Sequence, residues 1–408
     1  MSNPHSGLAP EHSGTAELLP RTTTARVVVS LVIVVGLVAA NMPTALYGEM
    51  RLAFGFSAGL QTVIFAAYVV GMLPGLTLLG PLSDRRGRVP VLALGLVFGV
   101  LGCVAFATAQ TVWVLCLARV LQGLSVGGIT AAGGAAFVDS VPAGRSDVAA
   151  LLSTSVSALG ASLGPVLGGL VAIWSGDPLR TPFLVAGIAL LAVMATLGVK
   201  GARTLPAPAQ PALLLVQPSP RPGLQPQLLT ACLVASVSWS IVGIFQSVGP
   251  TLLAASLGID NLALLGVIVA LVLITSGLTQ LAIRKVPAEV DRRVGIVVLL
   301  VAVACFLNMV VRHSAVSAVL ASVTAGGAHA FLFLGSTKTL AAVINQRGER
   351  QAGRLTGLFF ACAYLGLAVP SLAWGVMTDV WGNLAAAAVV LSVITLYTAS
   401  MWFLRFRR

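Results

Sequence analysis

Charge is what this chain has least of. Of its 408 residues only 9% are Asp, Glu, Lys or Arg, and just 12 of those are acidic. A soluble protein carries about a quarter charged residues, so this composition excludes a water-solvated globule and leaves lipid as the solvent. The five cysteines, Cys103, Cys116, Cys232, Cys305 and Cys362, all sit in apolar runs and none pairs at metal-ligand spacing. They are read as small buried hydrophobes rather than ligands or disulfides. No Gly-Lys-Ser/Thr phosphate loop, HExxH pair or nucleophile elbow occurs, and acidic residues are too sparse for a metal centre, so nothing argues for an enzyme, a metal or an ATP-driven device. No Asp or Glu lies deep in any apolar run: Glu49 and Asp139 stand at the ends of theirs.

What is present is hydrophobic sequence in long stretches. Apolar residues make up 57% of the chain, and a spanning helix needs about 20 of them in succession. Twelve runs qualify, at roughly 27–48, 57–79, 89–109, 112–137, 147–174, 181–199, 228–254, 259–283, 294–311, 315–340, 354–378 and 383–404. The expected fold is all-α and membrane-embedded, with twelve transmembrane helices in two pseudo-symmetric six-helix bundles. Residues 1–26 are expected to be a disordered cytoplasmic tail and 405–408 a basic one. The bundles are 27–199 and 228–404, joined by a Pro-rich linker at 200–227 whose short apolar stretch Ala212–Val216 is too small to span.

The net charge of +12 invites a nucleic-acid reading, but the basic residues fall in separate short loops instead of on one folded face. With the N-terminus inside, twenty of the 24 Lys and Arg lie on one side, Arg51, Arg180 and Arg312 on the other, and Arg119 within span 4. That bias places both termini in the cytoplasm. Arginine outnumbers lysine and Ala, Gly and Val abound, which points to a GC-rich bacterial genome and hence a bacterial cytoplasmic membrane. The halves are related at an offset of 205 residues, which carries Asp84 to Glu289, Arg88 to Arg293, Arg145 to Arg350 and Pro165 to Pro370.

Three segments carry more specific chemistry. Between spans 2 and 3, Gly80–Pro90 reads GPLSDRRGRVP. Gly80 permits close helix approach, Asp84 can accept from a helix N-terminus, and Arg85, Arg86 and Arg88 can pair with Asp84 or with Asp139 below span 4. The second-half counterpart, RKVPAEVDRRVG from Arg284 to Gly295, keeps charges but loses the glycines. In span 4, Leu117–Gly128 reads LARVLQGLSVGG, and its Arg119 must face a polar cavity or a partner, or else snorkel to the interface about two turns away. In span 5, GASLGPVLGG places Gly160, Gly164 and Gly168 four residues apart as a smooth stripe, with Pro165 removing a backbone donor and Gly169 following.

Together these segments resemble the major facilitator superfamily, and the complete G-x-x-x-G-P-x-x-G-G of span 5 resembles a motif found mainly in its twelve-helix drug:H+ antiporter branch. The resemblance implies alternating access between two rocking halves. It gives Gly80, Asp84, Arg85, Arg88 and Asp139 the role of a cytoplasmic latch, with Asp84 set against span 11. Gly160, Gly164, Pro165, Gly168 and Gly169 become a hinge and packing surface. Arg119, with Glu49 and His329 as titratable candidates, is linked to proton coupling. Spans 1, 4, 7 and 10 would line the pathway, making Asn41, Tyr47, Trp239, Gln246 and His329 candidates for substrate binding, with Tyr364, Gln61 and Tyr68 behind them. The expected activity is proton-driven export of a small hydrophobic or amphipathic molecule, without cofactor, by a monomer. The rival expectation is a facilitator or importer of a small nutrient such as a sugar or amino acid.

Overall fold

Lipid offers no hydrogen-bond partners, so an apolar run of this length must satisfy its backbone within itself, and the helix does so locally. A computed structural model describes residues 13–142, 145–205, 226–347 and 352–403. Helices long and apolar enough to cross a membrane are α1 (Thr23–Phe54), α2 (Ala58–Arg86), α3 (Arg88–Ala107), α4 (Val112–Asp139), α5 (Val148–Trp174) and α6 (Thr181–Gly201). They continue with α7 (Pro226–Ser247), α8 (Leu262–Ala282), α9 (Ala288–Arg312) and α10 (Ala315–Gln346). A last tract, Arg354–Thr398, is broken at Gly382, where φ 80° and ψ 168° suit only glycine. Its parts are α11 (354–381) and α12 (383–398), and with them the expected twelve crossings are complete. No strand occurs among the described residues. The protein is an all-α, multi-pass membrane protein.

Two boundaries differ from the sequence reading. The first helix begins at Ser13, inside the stretch expected to be an irregular tail, because the helix of α1 propagates backward past the apolar run. The helix of α6 also runs into the expected linker, ending in a π-helical turn at Leu197–Gly201 and a short turn at Ala202–Thr204. The rest of the linker, Ala212–Val216, Arg350 and the basic 405–408 tail lie outside the described residues.

The packing repeats itself. α3 lies along α4 and α9 along α10; α2 along α4 and α8 along α10; α1 along α5 and α7 along α11. The halves meet through α5 against α8 and α2 against α11, which is the same contact seen from either half. Pro165 and Pro370, 205 residues apart, lie inside α5 and α11. The outer faces of α3, α6, α9 and α12 expose Val97, Leu101, Ile188, Leu191, Val297 and Val393, a surface only lipid can cover. Small residues set the inner approaches. A Cβ on Gly127 of α4 would come within 2.7 Å of Gly75 Cα on α2, so these backbones touch directly. Two faces follow from the alternation of helices. The basic face holds the α2–α3 loop, and the distal face holds the α1–α2 turn at Gly55.

Candidate solute site and its closures

The site begins with a defect in α1. Met42 N still reaches Val38 O at 3.0 Å, but Pro43 has no N–H, so the carbonyl of Ala39 loses its helical donor. α4 supplies the replacement. Gln122 Nε2 donates to Ala39 O at 3.0 Å, and Arg119 donates through one terminal nitrogen to Ala40 O at 2.8 Å and to Gln122 Oε1 at 2.9 Å. Arg119 is 3% exposed, with its guanidinium 4.8 Å from the Tyr68 ring centroid and 5.7 Å from that of Phe65. Snorkelling is therefore excluded: the cation is satisfied by carbonyls and aromatic faces inside the first half. Its Nε and the Tyr47 hydroxyl are buried without a partner.

The glycine stripe of α5 holds this broken region in place. A Cβ on Gly160 would meet Val34 O at 2.8 Å, one on Gly164 would meet Asn41 Cβ at 2.5 Å, and one on Gly168 would meet Met42 O at 2.6 Å. The three glycines thus track α1 up to its break, as the spacing predicts. Gly169 faces the other half, against the Leu262 backbone of α8, while Gly266 of α8 lies on the Pro165 carbonyl. α7 and α11 repeat the arrangement differently. Pro370 frees the Gly366 carbonyl, which accepts from Ser240 Oγ at 3.0 Å, and Ser236 Oγ donates to Cys362 O at 2.7 Å.

The second half contributes an aromatic cluster. Trp239 of α7 stands 5.2 Å from the His329 ring and 5.2 Å from Tyr364, and His329 stacks on Phe333 at 5.4 Å. His329 Nδ1 lies 2.7 Å from Ser276 Oγ, which accepts from Gln280 Nε2 at 3.0 Å. Asn41 and Gln246, also 205 residues apart, face each other across the halves, with Gln246 Nε2 a long 3.5 Å from Asn41 Oδ1. Of the sequence candidates, the structure joins Trp239, His329 and Tyr364, and separately Asn41 with Gln246. Arg119, Glu49 and His329 do not share a network: their partners lie on different helices, and Glu49 forms no ion pair among the described residues.

At the basic face Arg88 takes both expected acids, donating to Asp139 Oδ2 at 2.8 Å and to Asp84. Arg85 and Arg86 are exposed, and Gly80 packs by its bare backbone near Ala131. Asp84 is not against α11 here: its carboxylate, 67% exposed, is turned to Arg88.

Two further elements had no sequence signal of their own. Asp291, in the first turn of α9, is fully buried, and Lys338 of α10 reaches it at 2.7 Å while also donating to Val286 O at 2.5 Å. With a longer contact to Ile283 O at 3.4 Å, Lys338 ties α10 to the loop between α8 and α9. At the distal face Asp379 ends α11 and accepts from Ser57 Oγ at 2.6 Å, Ala58 N at 2.9 Å and Gly59 N at 2.8 Å, capping α2 of the other half. Gln61 Nε2 adds a bond to Ser247 O at 2.6 Å.

Comparison with known proteins fits this architecture. Residues 28–371 match the sequence profile described as Major Facilitator Superfamily. The multidrug transporter MdfA of Shigella boydii is 35% identical over 123 residues, 30% of this chain and 30% of that protein. The chloramphenicol resistance protein CraA of Acinetobacter baumannii is 33% identical over 147 residues, 36% of this chain and 35% of CraA. The matched stretch thus spans only about a third of these relatives. Among solved structures, a bacterial homologue of the human lysosomal transporter Spinster, inward-facing and occupied, superposes with a TM-score of 0.76 at 16% identity, covering 95% of this chain and 97% of that one. The nucleoside transporter NupG superposes with a TM-score of 0.72 at 12% identity, over 93% and 98% of the two chains. Profile, repeated packing and the glycine-lined α5 agree, and the chain belongs to the major facilitator superfamily of transporters.

Proposed function

We propose that this transporter exports a small hydrophobic or amphipathic molecule from the cytoplasm by alternating access, in exchange for protons. The observation that carries the reading is the sequence likeness to MdfA and CraA, a multidrug transporter and a drug-resistance protein. The α5 stripe, complete from Gly160 to Gly169 and packed against both α1 and α8, supports it. So does the composition of the region between the halves, which is aromatic and aliphatic with isolated buried polar atoms such as Gln246 Oε1, Ser247 Oγ and Trp239 Nε1. Such a lining suits a solute that is mostly apolar and anchored at few points. In this reading the basic face is cytoplasmic, Arg88 with Asp84 and Asp139 governs closure there, and the protein resides in a bacterial cytoplasmic membrane. Arg119 and Gln122 maintain the α1 break, which moves together with α5 against the second half as the halves rock. The proton gradient is the only energy source the reading requires, and a single chain suffices.

Everted membrane vesicles test it. With an imposed pH gradient, inside acid, adding a drug panel that includes chloramphenicol should dissipate the gradient and load the vesicles with drug. Uptake of a sugar or amino acid by right-side-out vesicles, without proton movement, would instead establish the nutrient facilitator.

A further inference from the structure

The aromatic cluster of α7, α10 and α11 contains two hydrogen-bond donors with nothing to donate to. The first follows from a short relay. Gln280 Nε2 gives a hydrogen to Ser276 Oγ at 3.0 Å, and the serine's own hydrogen is assigned to the hydroxyl's remaining partner, His329 Nδ1 at 2.7 Å. A neutral imidazole accepting at Nδ1 carries its hydrogen on Nε2. His329 is 5% exposed, and that Nε2 is buried with no partner. The second donor is Trp239 Nε1–H, equally buried and unpartnered, on a ring that meets the imidazole edge-to-face at 5.2 Å. A buried donor left unmade costs about 1–3 kcal/mol, so two in one cluster mark a place where an acceptor belongs.

The surroundings say what kind of molecule brings it. Trp239, Phe333 and Phe360 remain partly exposed, so the cluster is accessible at its edge and aromatic in character. Helices α7, α8 and α10 carry no acidic residue, and α11 has none before Asp379 at its distal end. Among the described residues, the charge buried in the first half is likewise no acid but a cation, Arg119, whose guanidinium lies over the Tyr68 ring. A cationic solute would find ring faces but no countercharge, and burying an unpaired charge is costly.

Resting on the export reading, we infer that Trp239 and His329 form a recognition site for uncharged aromatic molecules bearing a carbonyl or nitro acceptor, and that lipophilic cations are poor ligands. The ring of the solute stacks within the Trp239–Phe333–Tyr364 cluster while its acceptor takes the His329 Nε2 and Trp239 Nε1 hydrogens. Ser276 and Gln280 are positioning residues, acting through the imidazole by selecting the tautomer that donates.

Equilibrium binding to the purified full-length protein tests this without requiring transport. The probes are radiolabelled chloramphenicol, a neutral nitroaromatic with an amide carbonyl, and tetraphenylphosphonium, an aromatic cation with no acceptor. Chloramphenicol should bind at least about tenfold more tightly than the cation. His329→Phe, which keeps the stacked ring and loses the donor, should weaken chloramphenicol by about tenfold, one hydrogen bond to a buried group. His329→Gln, which retains an N–H, should restore most of the affinity, and Trp239→Phe should produce a loss similar to that of His329→Phe. Equal or tighter binding of the cation, no chloramphenicol binding by the wild type, or full affinity in His329→Phe would overturn the inference. The export reading fails separately: the expected binding pattern with no drug-driven collapse of the pH gradient in everted vesicles leaves the site standing and removes the antiport.

Discussion

Ser57 and Asp379 belong to different halves of the protein, yet the serine hydroxyl donates to the aspartate at 2.6 Å. The same carboxylate takes two backbone N–H groups from the first turn of α2, so a single side chain of α11 caps a helix it is not covalently close to. A carboxylate at a helix N-terminus is favoured both by its hydrogen bonds and by the helix dipole. Together with Gln61 on Ser247 O, it pins the halves together at the distal face.

Loss of that clamp should favour opening on the distal side. Asp379→Ala removes a cap worth about 1 kcal/mol, enough to change a conformational ratio by about fivefold. Labelling of a cysteine placed at Thr62, buried where α2 meets Gly375 of α11, using an impermeant maleimide on cells, should speed up by a similar factor. An unchanged rate would show that the clamp does not hold the halves closed.

Arg119→Ala should damage stability as well as transport. It strands the Ala40 carbonyl and Gln122 Oε1, each a buried acceptor, at about 1–3 kcal/mol apiece. Thermal unfolding of the detergent-solubilised protein should shift downward, and Arg119→Lys should recover only part of the loss because an ammonium gives up the guanidinium plane that lies over the Tyr68 and Phe65 rings. A fully stable Arg119→Ala variant would contradict the role assigned to the α1 break.

Along α5 the glycines should tolerate no side chain. Gly164→Ala puts a methyl 2.5 Å from Asn41 Cβ and 2.9 Å from Val38 O, so α1 must move. Overpacking of this kind costs about 1–3 kcal/mol, and transport should fall with it. Gly176→Ala, with nothing within 4 Å of the new Cβ, should behave as wild type in the same unfolding and uptake assays.

Removing Lys338 alone should be worse than removing the pair. Lys338→Met leaves the fully buried Asp291 carboxylate without its cation, a situation that costs about 3–5 kcal/mol. Adding Asp291→Asn should restore most of the lost stability. Equal instability of the single and double variants would show that the lysine acts only through the Ile283 and Val286 carbonyls.

These same positions show how far sequence reasoning reaches. Span count, half-repeat and the α5 stripe are legible because hydrophobic length and glycine spacing are local, and local patterns survive without the partner helix in view. Arg119 was half legible: the cost of a buried cation demanded a partner, and Pro43, four residues past Ala39, was the available clue to where free carbonyls lay. The relay behind His329 was not, since Ser276 is 53 residues away on another helix. Asp291 carries no local signal within the charged Arg284–Gly295 segment, because its partner Lys338 comes from α10, 47 residues downstream. Asp379 was overlooked for the same reason, its ligands being backbone groups more than 300 residues earlier.

Alternating access makes the most direct demand on the structure: when one face closes the other must open. Spin labels can be placed in a background lacking the five native cysteines, at Leu52 and Trp381 on the distal face and at Arg86 and Lys285 on the basic face. All four side chains are exposed, and each pair joins the two halves. Double electron–electron resonance in lipid, with and without chloramphenicol and at two pH values, should show the distal distance lengthening as the basic distance shortens. Two distances that never change, or that lengthen together, would contradict the account.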